Sequence, residues 1–255
     1  MYHDDRLLQK SNKRSSFIDG FLHIIFPARC PGCDKVHPIG VRGFCESCRN
    51  DLREPEGKLC PYCGKPIQEE EDCCRECRKV SHDFIAGEAL WLYTGRLQES
   101  MARFKQGKRA EYGEVYGELL WQKKKKWIQS IGQAVLVPVP IYKNRLQRRG
   151  YNQAELIAAK LSECAGLPMA ENLLIRQRDT KPQKELSRQE RRENIRGAFV
   201  CGKEASHWLY SSQRCAIIVD DIYTTGSTVD ACASVLREVG FEKIFFLCVC
   251  VGKTM

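Results

Sequence analysis

Four Cys-x-x-Cys pairs dominate the first third of the chain: Cys30/Cys33, Cys45/Cys48, Cys60/Cys63 and Cys74/Cys77. Successive pairs start 15, 15 and 14 residues apart. Two residues between thiols let one tight turn aim both sulfurs at a single ion, and two such turns complete a tetrahedral thiolate shell for Zn²⁺. The first and third pairs share the pattern Cys-Pro-x-Cys-x-Lys (CPGCDK, CPYCGK), so the region reads as a duplicated unit of about 30 residues. Duplication favours sequential pairing, with Cys30, Cys33, Cys45 and Cys48 on one zinc and Cys60, Cys63, Cys74 and Cys77 on a second. The near-equal gaps leave a cross-braced arrangement open, and Cys73 stands beside Cys74 as a substitute ligand. A piece this short has too little core to fold alone, so metal binding would supply much of its folding free energy. Two complete four-cysteine shells have no open position, which makes these zinc ions structural rather than catalytic. Buried structural cysteines or a redox Cys-x-x-Cys account for the fourfold repeat less well.

A chain of 255 residues is long enough to bury an α/β core behind such a module. Nine of its 15 cysteines lie between residues 30 and 77, which argues for metal rather than a disulfide framework and for a cytoplasmic location. The greasiest early segment, Phe17–Pro27 (FIDGFLHIIFP), is interrupted by Asp19, Gly20 and His23 and lacks a small-residue cleavage site. It reads as a short helix packed on the domain rather than the core of a signal peptide. No run approaches the ~18 apolar residues of a membrane span. Net charge is +9, from 41 Lys and Arg against 32 Asp and Glu, a balance that suits polyanions. The charge is uneven. Residues 141–150 hold Lys143, Arg145, Arg148 and Arg149 with no acid, and residues 176–196 hold eight bases against four acids. The run Lys123–Lys126 reads as a solvated helix face.

Beyond the cysteines, apolar runs without polar alternation are interleaved with helical periodicities. Strands are expected at Glu88–Tyr93, Ala134–Pro140, Cys215–Val219 and Ile244–Val251, and helices at Arg109–Gln129, Asn152–Ala165 and Ser227–Val239. That pattern predicts an α/β fold, a parallel sheet flanked by helices on both faces. Cys248 and Cys250 fall in the last strand as core residues. Ligands of such sheets bind outside the carboxyl ends of the strands.

One stretch lies in that place. AIIVDDIYTTGST, residues 216–228, carries a greasy run into two adjacent acids and then into small hydroxyl residues around one glycine. A strand, a glycine-containing loop and a helix N-terminus make an anion site, because free N–H groups and the positive end of the helix dipole face the loop. Thr224, Thr225, Gly226, Ser227 and Thr228 suit a phosphate. Asp220 and Asp221 would repel one, and suit sugar hydroxyls or a hydrated Mg²⁺ instead.

The sequence IIVDDIYTTGST resembles the phosphoribosyl pyrophosphate (PRPP) motif of type I phosphoribosyltransferases. The likeness implies ribose contacts from Asp220 and Asp221, the catalytic acids if turnover occurs, and a 5′-phosphate on Thr224–Thr228. The cysteine pairs, VPVP followed by RLQRRGYNQAELIA, and RQRDTKPQKELSRQERRENIRGAF are together similar to the ComF (ComFC-type) family of competence proteins, from about residue 20 to the C-terminus. This resemblance implies an N-terminal extension with a short helix over 1–28, a double zinc ribbon over 29–80 and a phosphoribosyltransferase-like domain over 81–255. It implies a pyrophosphate loop at Val137, Pro138, Val139 and Pro140 and a mobile flap over Arg176–Arg196, with Thr180, Gln183, Leu186, Arg191 and Asn194 matching the family's recurring residues. The segment RFKQGKRAEYG (103–113) resembles a basic stretch that precedes the sheet in that family.

Two readings of function follow. In the first, the chain binds PRPP or a related nucleotide with Mg²⁺, contacts single-stranded DNA and serves the DNA-uptake machinery. Arg145, Arg148, Arg149, Lys181, Arg188 and Arg191 would supply basic contacts, and Phe104, Tyr112, Tyr142 and Tyr151 aromatic ones. In the second, it is an active phosphoribosyltransferase passing ribose 5-phosphate to a nucleobase or amine acceptor, with the acids and a Mg²⁺-bound pyrophosphate supporting an oxocarbenium-like centre. Protein purified without added zinc is expected to carry about two Zn²⁺ per chain; elemental analysis finding none would exclude the thiolate shells.

Overall fold

A computed structural model describes residues 27–179, 197–209 and 214–252. After a short helix α1 (Glu46–Asn50) and a 3₁₀ turn at Cys77–Lys79 within the cysteine-rich region, the chain enters strand β1 (Ala86–Leu92). There follow α2 (Gly95–Gln106), α3 (Tyr112–Ile131), β2 (Val135–Pro138), α4 (Lys143–Arg149) and α5 (Gln153–Ala165). The second half contributes β3 (Leu174–Arg176), β4 (Phe199–Cys201), α6 (Ala205–Leu209), β5 (Cys215–Tyr223), α7 (Ser227–Glu238) and β6 (Lys243–Val251). Strands β1, β6, β5 and β2, in that order, form a four-stranded parallel sheet, and β3 pairs antiparallel with β4.

Both faces of the sheet are buried, which explains why its strands read as unbroken apolar runs. Ile217, Val219, Leu247 and Val249 pack with α2, α3 and α5 on one side, while Ala216, Ile218, Ile244 and Phe246 pack with α7 on the other. The cysteine-rich region contributes to both layers. Cys30 and Cys48 join the first cluster, and Cys60, Cys63, Cys74 and Cys77 join the second. Main-chain bonds tie the outer strands to other parts of the chain. The Leu92 N–H donates to the Arg53 carbonyl, and Leu136 of β2 donates to Pro168 and accepts from Ala170.

The expected helices and strands are present with boundaries shifted by a few residues, apart from one consequential difference. Strand β5 does not stop at Val219 but continues through both acids to Tyr223. Asp220, Ile222 and Tyr223 stay in register with Cys248, Cys250 and Val251 of β6, so the neighbouring strand carries the ladder past the acids. At the other end of the range, Asn152 caps α5 by accepting the Ala154 N–H at 3.2 Å. Helix α2 is absent from the expectations, although Leu97, Met101 and Phe104 form a narrow buried stripe along it. Helix α4 carries a single apolar residue, Leu146, and so shows no periodicity to read. Lys123–Lys126 lie on α3, with Lys123 paired to Glu54 and Lys124 to Glu88.

Helices α3 and α5 cross at Gly117, where an added Cβ would lie 2.6 Å from the Ile157 carbonyl oxygen and 2.7 Å from the Lys160 Cβ. Alanine normally stabilises a helix interior by about 1 kcal/mol over glycine. Here overpacking reverses the sign: Gly117→Ala is expected to lower stability by about 1–3 kcal/mol, read as a lower urea midpoint with unchanged slope.

Candidate functional site

The sulfurs of Cys30, Cys33, Cys45 and Cys48 lie within 4.8 Å of one another, and so do those of Cys60, Cys63, Cys74 and Cys77. The pairing is therefore sequential, and Cys73 stands outside the second group. A tetrahedral shell with Zn–S bonds of about 2.3 Å has sulfur–sulfur edges of about 3.8 Å. Cys33 and Cys45 are 3.9 Å apart and Cys63 and Cys74 3.6 Å, so both sets fit such an ion. Within each cluster the thiols are unequal: burial and neighbouring cysteines push Cys30, Cys48, Cys63 and Cys77 up, while Cys45, Cys60 and Cys74 are lowered. The Cys48 N–H beside Cys45 draws its pKa down to about 7, and neighbouring thiols donating to Cys60 hold it well below the ordinary range.

The two ribbons dock differently. In the first, Asp34 takes the left-handed conformation (φ 62°) just after Cys33. Its carboxylate accepts two bonds from Arg109, at 2.8 and 2.6 Å, and one from the Tyr112 hydroxyl at 2.6 Å. Arg109 and Tyr112 outweigh the effect of burial and hold the Asp34 carboxyl below its usual range. Arg103 adds bonds to the carbonyls of Pro31 and Gly32. In the second ribbon, the residue that reaches across is Lys65, whose ammonium donates to the Thr224 carbonyl at 2.6 Å.

Thr224 opens the loop that follows the acids. Gly226 sits at φ 85° as the N-cap of α7, and a Cβ there would lie 2.5 Å from the Tyr223 hydroxyl, so both conformation and space call for glycine. Thr225 and Ser227 share a hydroxyl–hydroxyl bond of 3.0 Å. Asp220, Tyr223, Thr224, Gly226, Ser227 and Thr228 line one recess at the carboxyl end of the sheet, while Asp221, next along β5, turns to Lys105.

The two acids are held differently. Asp221 is 7% exposed, and its carboxylate pairs with the Lys105 ammonium at 2.8 Å. Asp220 is half-buried and accepts the Asp221 N–H at 2.8 Å. Burial first, and then the adjacent Asp221 charge, push the Asp220 carboxyl up to about 7, with Lys105 pulling the other way. Burial also works against the Lys105 ammonium, but Asp221 and Asp220 overcome it and raise its pKa.

Lys105 opens onto a cleft of about 360 Å³ lined also by Gln106, Lys108, Arg148 and Arg149. Arg149 donates to Gln153 at 2.8 Å, and Gln153 and Tyr151 both donate to the Phe104 carbonyl, which ties the end of α4 to the end of α2. Arg145 pairs with Asp179 at 3.3 Å. In the Val137–Pro140 segment the first three residues are buried; Pro138 and Pro140 have no N–H, and Val139 donates its own to Val219. The Val139 carbonyl accepts from Asn152. The segment therefore offers an anion few free main-chain donors. Two of the aromatics considered for base stacking must be withdrawn: Phe104 and Tyr112 are fully buried in the core. Tyr142 and Tyr151 are half-buried. Lys181, Arg188 and Arg191, the rest of the flap from Thr180 to Arg196, and Phe17–Phe26 lie outside the described residues.

Lys65 and Lys105 are functional candidates that motif reading passed over. Each had a signal, Lys65 in the repeated Cys-Pro-x-Cys-x-Lys pattern and Lys105 in the basic stretch 103–113. Among the described residues no helix is long and apolar enough to cross a membrane.

Residues 21–78 match the double zinc ribbon domain. Competence protein F of Haemophilus influenzae is 30% identical over 222 residues, covering 86% of this chain and 95% of that protein. DNA utilization protein YhgH of Salmonella typhimurium is 28% identical over 229 residues, covering 88% and 97%. Competence protein ComFC of Bacillus subtilis is 29% identical over 202 residues, covering 77% and 78%. With thiolate clusters in front, a parallel α/β sheet behind and this likeness along most of its length, the chain belongs to the ComF family of competence proteins.

Proposed function

We propose that this protein binds PRPP with Mg²⁺ at residues 220–228, contacts single-stranded DNA through its basic cleft, and acts in DNA uptake. One observation carries the reading: two acids at the carboxyl end of β5 are followed, five residues after the second, by the glycine that caps the next helix. Acids suit a sugar diol or a cation, and the helix start suits a phosphate, so a sugar phosphate matches the order of groups along the chain. Mg²⁺ would neutralise the diphosphate charge and meet Asp220 and Asp221. The cleft beside Lys105 suits the diphosphate end or a nucleic-acid backbone. The names of the relatives, competence and DNA utilization, support DNA handling as the setting. Within this reading the zinc ribbons serve as structural supports for residues 81–255.

The transferase reading is favoured by one feature. A carboxyl with a pKa of about 7 exchanges its proton near neutral pH, which suits general acid–base work beside a reacting sugar.

Calorimetric titration with PRPP and Mg²⁺ tests the site. Asp220→Asn/Asp221→Asn is expected to abolish binding; because Asp221→Asn also unpairs Lys105 and lowers the melting temperature, folding is checked by circular dichroism, and retained affinity would refute the assignment. Affinity should also rise about tenfold between pH 6 and pH 8, because Asp220 is protonated below its pKa of about 7 and cannot face a cation in that form. A flat profile would remove Asp220 from the site. Pyrophosphate release over a panel of nucleobases and amines decides whether transfer occurs.

Single-stranded DNA binding measured across salt tests the cleft. Each lost phosphate contact lowers the salt slope by about 0.7, so Arg148→Ala/Arg149→Ala should lower it by about 1.4. An unchanged slope would place DNA elsewhere.

A further inference from the structure

The two ribbons are copies of one unit, yet the lysine at the same place in each has a different fate. Lys35 and Lys65 both accept a main-chain bond from the first cysteine of their pair, Cys30 at 2.9 Å and Cys60 at 2.8 Å. Lys35 is exposed, whereas Lys65 is 2% exposed. Three groups surround the Lys65 ammonium: the Glu76 carboxylate at 3.6 Å, the Tyr223 ring with its centroid at 5.8 Å, and the Thr224 carbonyl at 2.6 Å. Glu76 is itself 7% exposed and precedes Cys77, and the corresponding residue of the first ribbon is Ser47.

A buried ammonium is costly unless it is paired and hydrogen-bonded, and this one has both kinds of partner. Its partners belong to different parts of the molecule. Glu76 comes from the second knuckle of the ribbon, and Thr224 from the loop after β5. Lys65 and Glu76 each lie within two residues of a thiolate of the second cluster. Whatever holds that cluster together therefore also holds the ammonium against the loop. The first cluster reaches the opposite layer and makes no such bond among the described residues.

We propose that Lys65 is a positioning residue for the 224–228 loop, and that metal in the second ribbon, not the first, sets that loop's affinity for a sugar phosphate. The ligand class rests on the phosphate-loop reading above; the coupling of ribbon to loop does not.

Amide hydrogen exchange across Thr225–Thr228 in the full-length protein, together with ribose 5-phosphate titration, tests this. Lys65→Met is expected to speed exchange in the loop and weaken ribose 5-phosphate roughly tenfold, the scale of a lost charge-assisted bond, while Lys35→Met changes neither. Cys74→Ser/Cys77→Ser should reproduce Lys65→Met, and Cys33→Ser/Cys45→Ser should leave the loop unchanged. Should the second cysteine variant fail to fold, Lys65→Met/Glu76→Gln, which also removes the uncompensated acid, decides the point. Loop exchange at the wild-type rate in both Lys65 variants would overturn the proposal, as would equal loosening from loss of either cluster. If wild-type protein binds no ribose 5-phosphate, the phosphate assignment falls, and the exchange data still judge the coupling.

Discussion

The second four-cysteine cluster is buried in one layer of the α/β core, and Cys30 and Cys48 of the first are buried in the opposite layer, so each ribbon is tied to its own face of the sheet. A thiolate cluster without its metal is four mutually repelling or protonated sulfurs in an apolar setting. With metal it becomes a rigid node in which the ion offsets half of the thiolate charge. Ribbon formation and closure of the sheet's faces are thus thermodynamically linked, and neither side of the sheet is finished without its own ribbon. Asp34, clamped by Arg109 and Tyr112, makes the link on the α3 side. Lys65 makes it on the α7 side.

The same economy governs the acids of β5. Two neighbouring carboxylates inside a strand are tolerated because the chain supplies different compensation to each. Asp221 takes a full positive charge from Lys105. Asp220 receives a main-chain N–H and is otherwise left to hold its proton more tightly. Lys105 is tethered by the end of α2, whose Phe104 carbonyl is bonded to Tyr151 and Gln153. A cation at the acid pair and an anion in the cleft would therefore both act on Lys105, which sits between them.

Much of this was legible from the residues. The duplicated cysteine pattern favoured the sequential grouping while leaving cross-bracing and a Cys73 substitution open, and the fully apolar runs of β5 and β6 pointed to a two-sided parallel sheet. The loop at 224–228 was readable because a glycine at a helix start and a string of hydroxyl residues are local signals. What escaped was non-local. The extension of β5 to Tyr223 depends on β6 continuing alongside it, and nothing in IVDDIY announces a partner strand. Lys65 and Lys105 act through residues 159 and 116 positions away. Phe104 and Tyr112 fitted core positions and stacking positions equally well in sequence, and the neighbouring helices decide for the core.

The outer strands deserve a last comparison with what sheets usually risk. Exposed strand edges invite pairing with another chain. Here the backbone of Leu92 is joined to Arg53, an added Cβ on Gly64 would lie 3.1 Å from the Gly87 carbonyl, and Leu136 is bonded to Pro168 and Ala170. The molecule's own connecting segments thus stand where a foreign strand would have to add. Among the described residues, strand addition at either edge of the four-stranded sheet is thereby disfavoured.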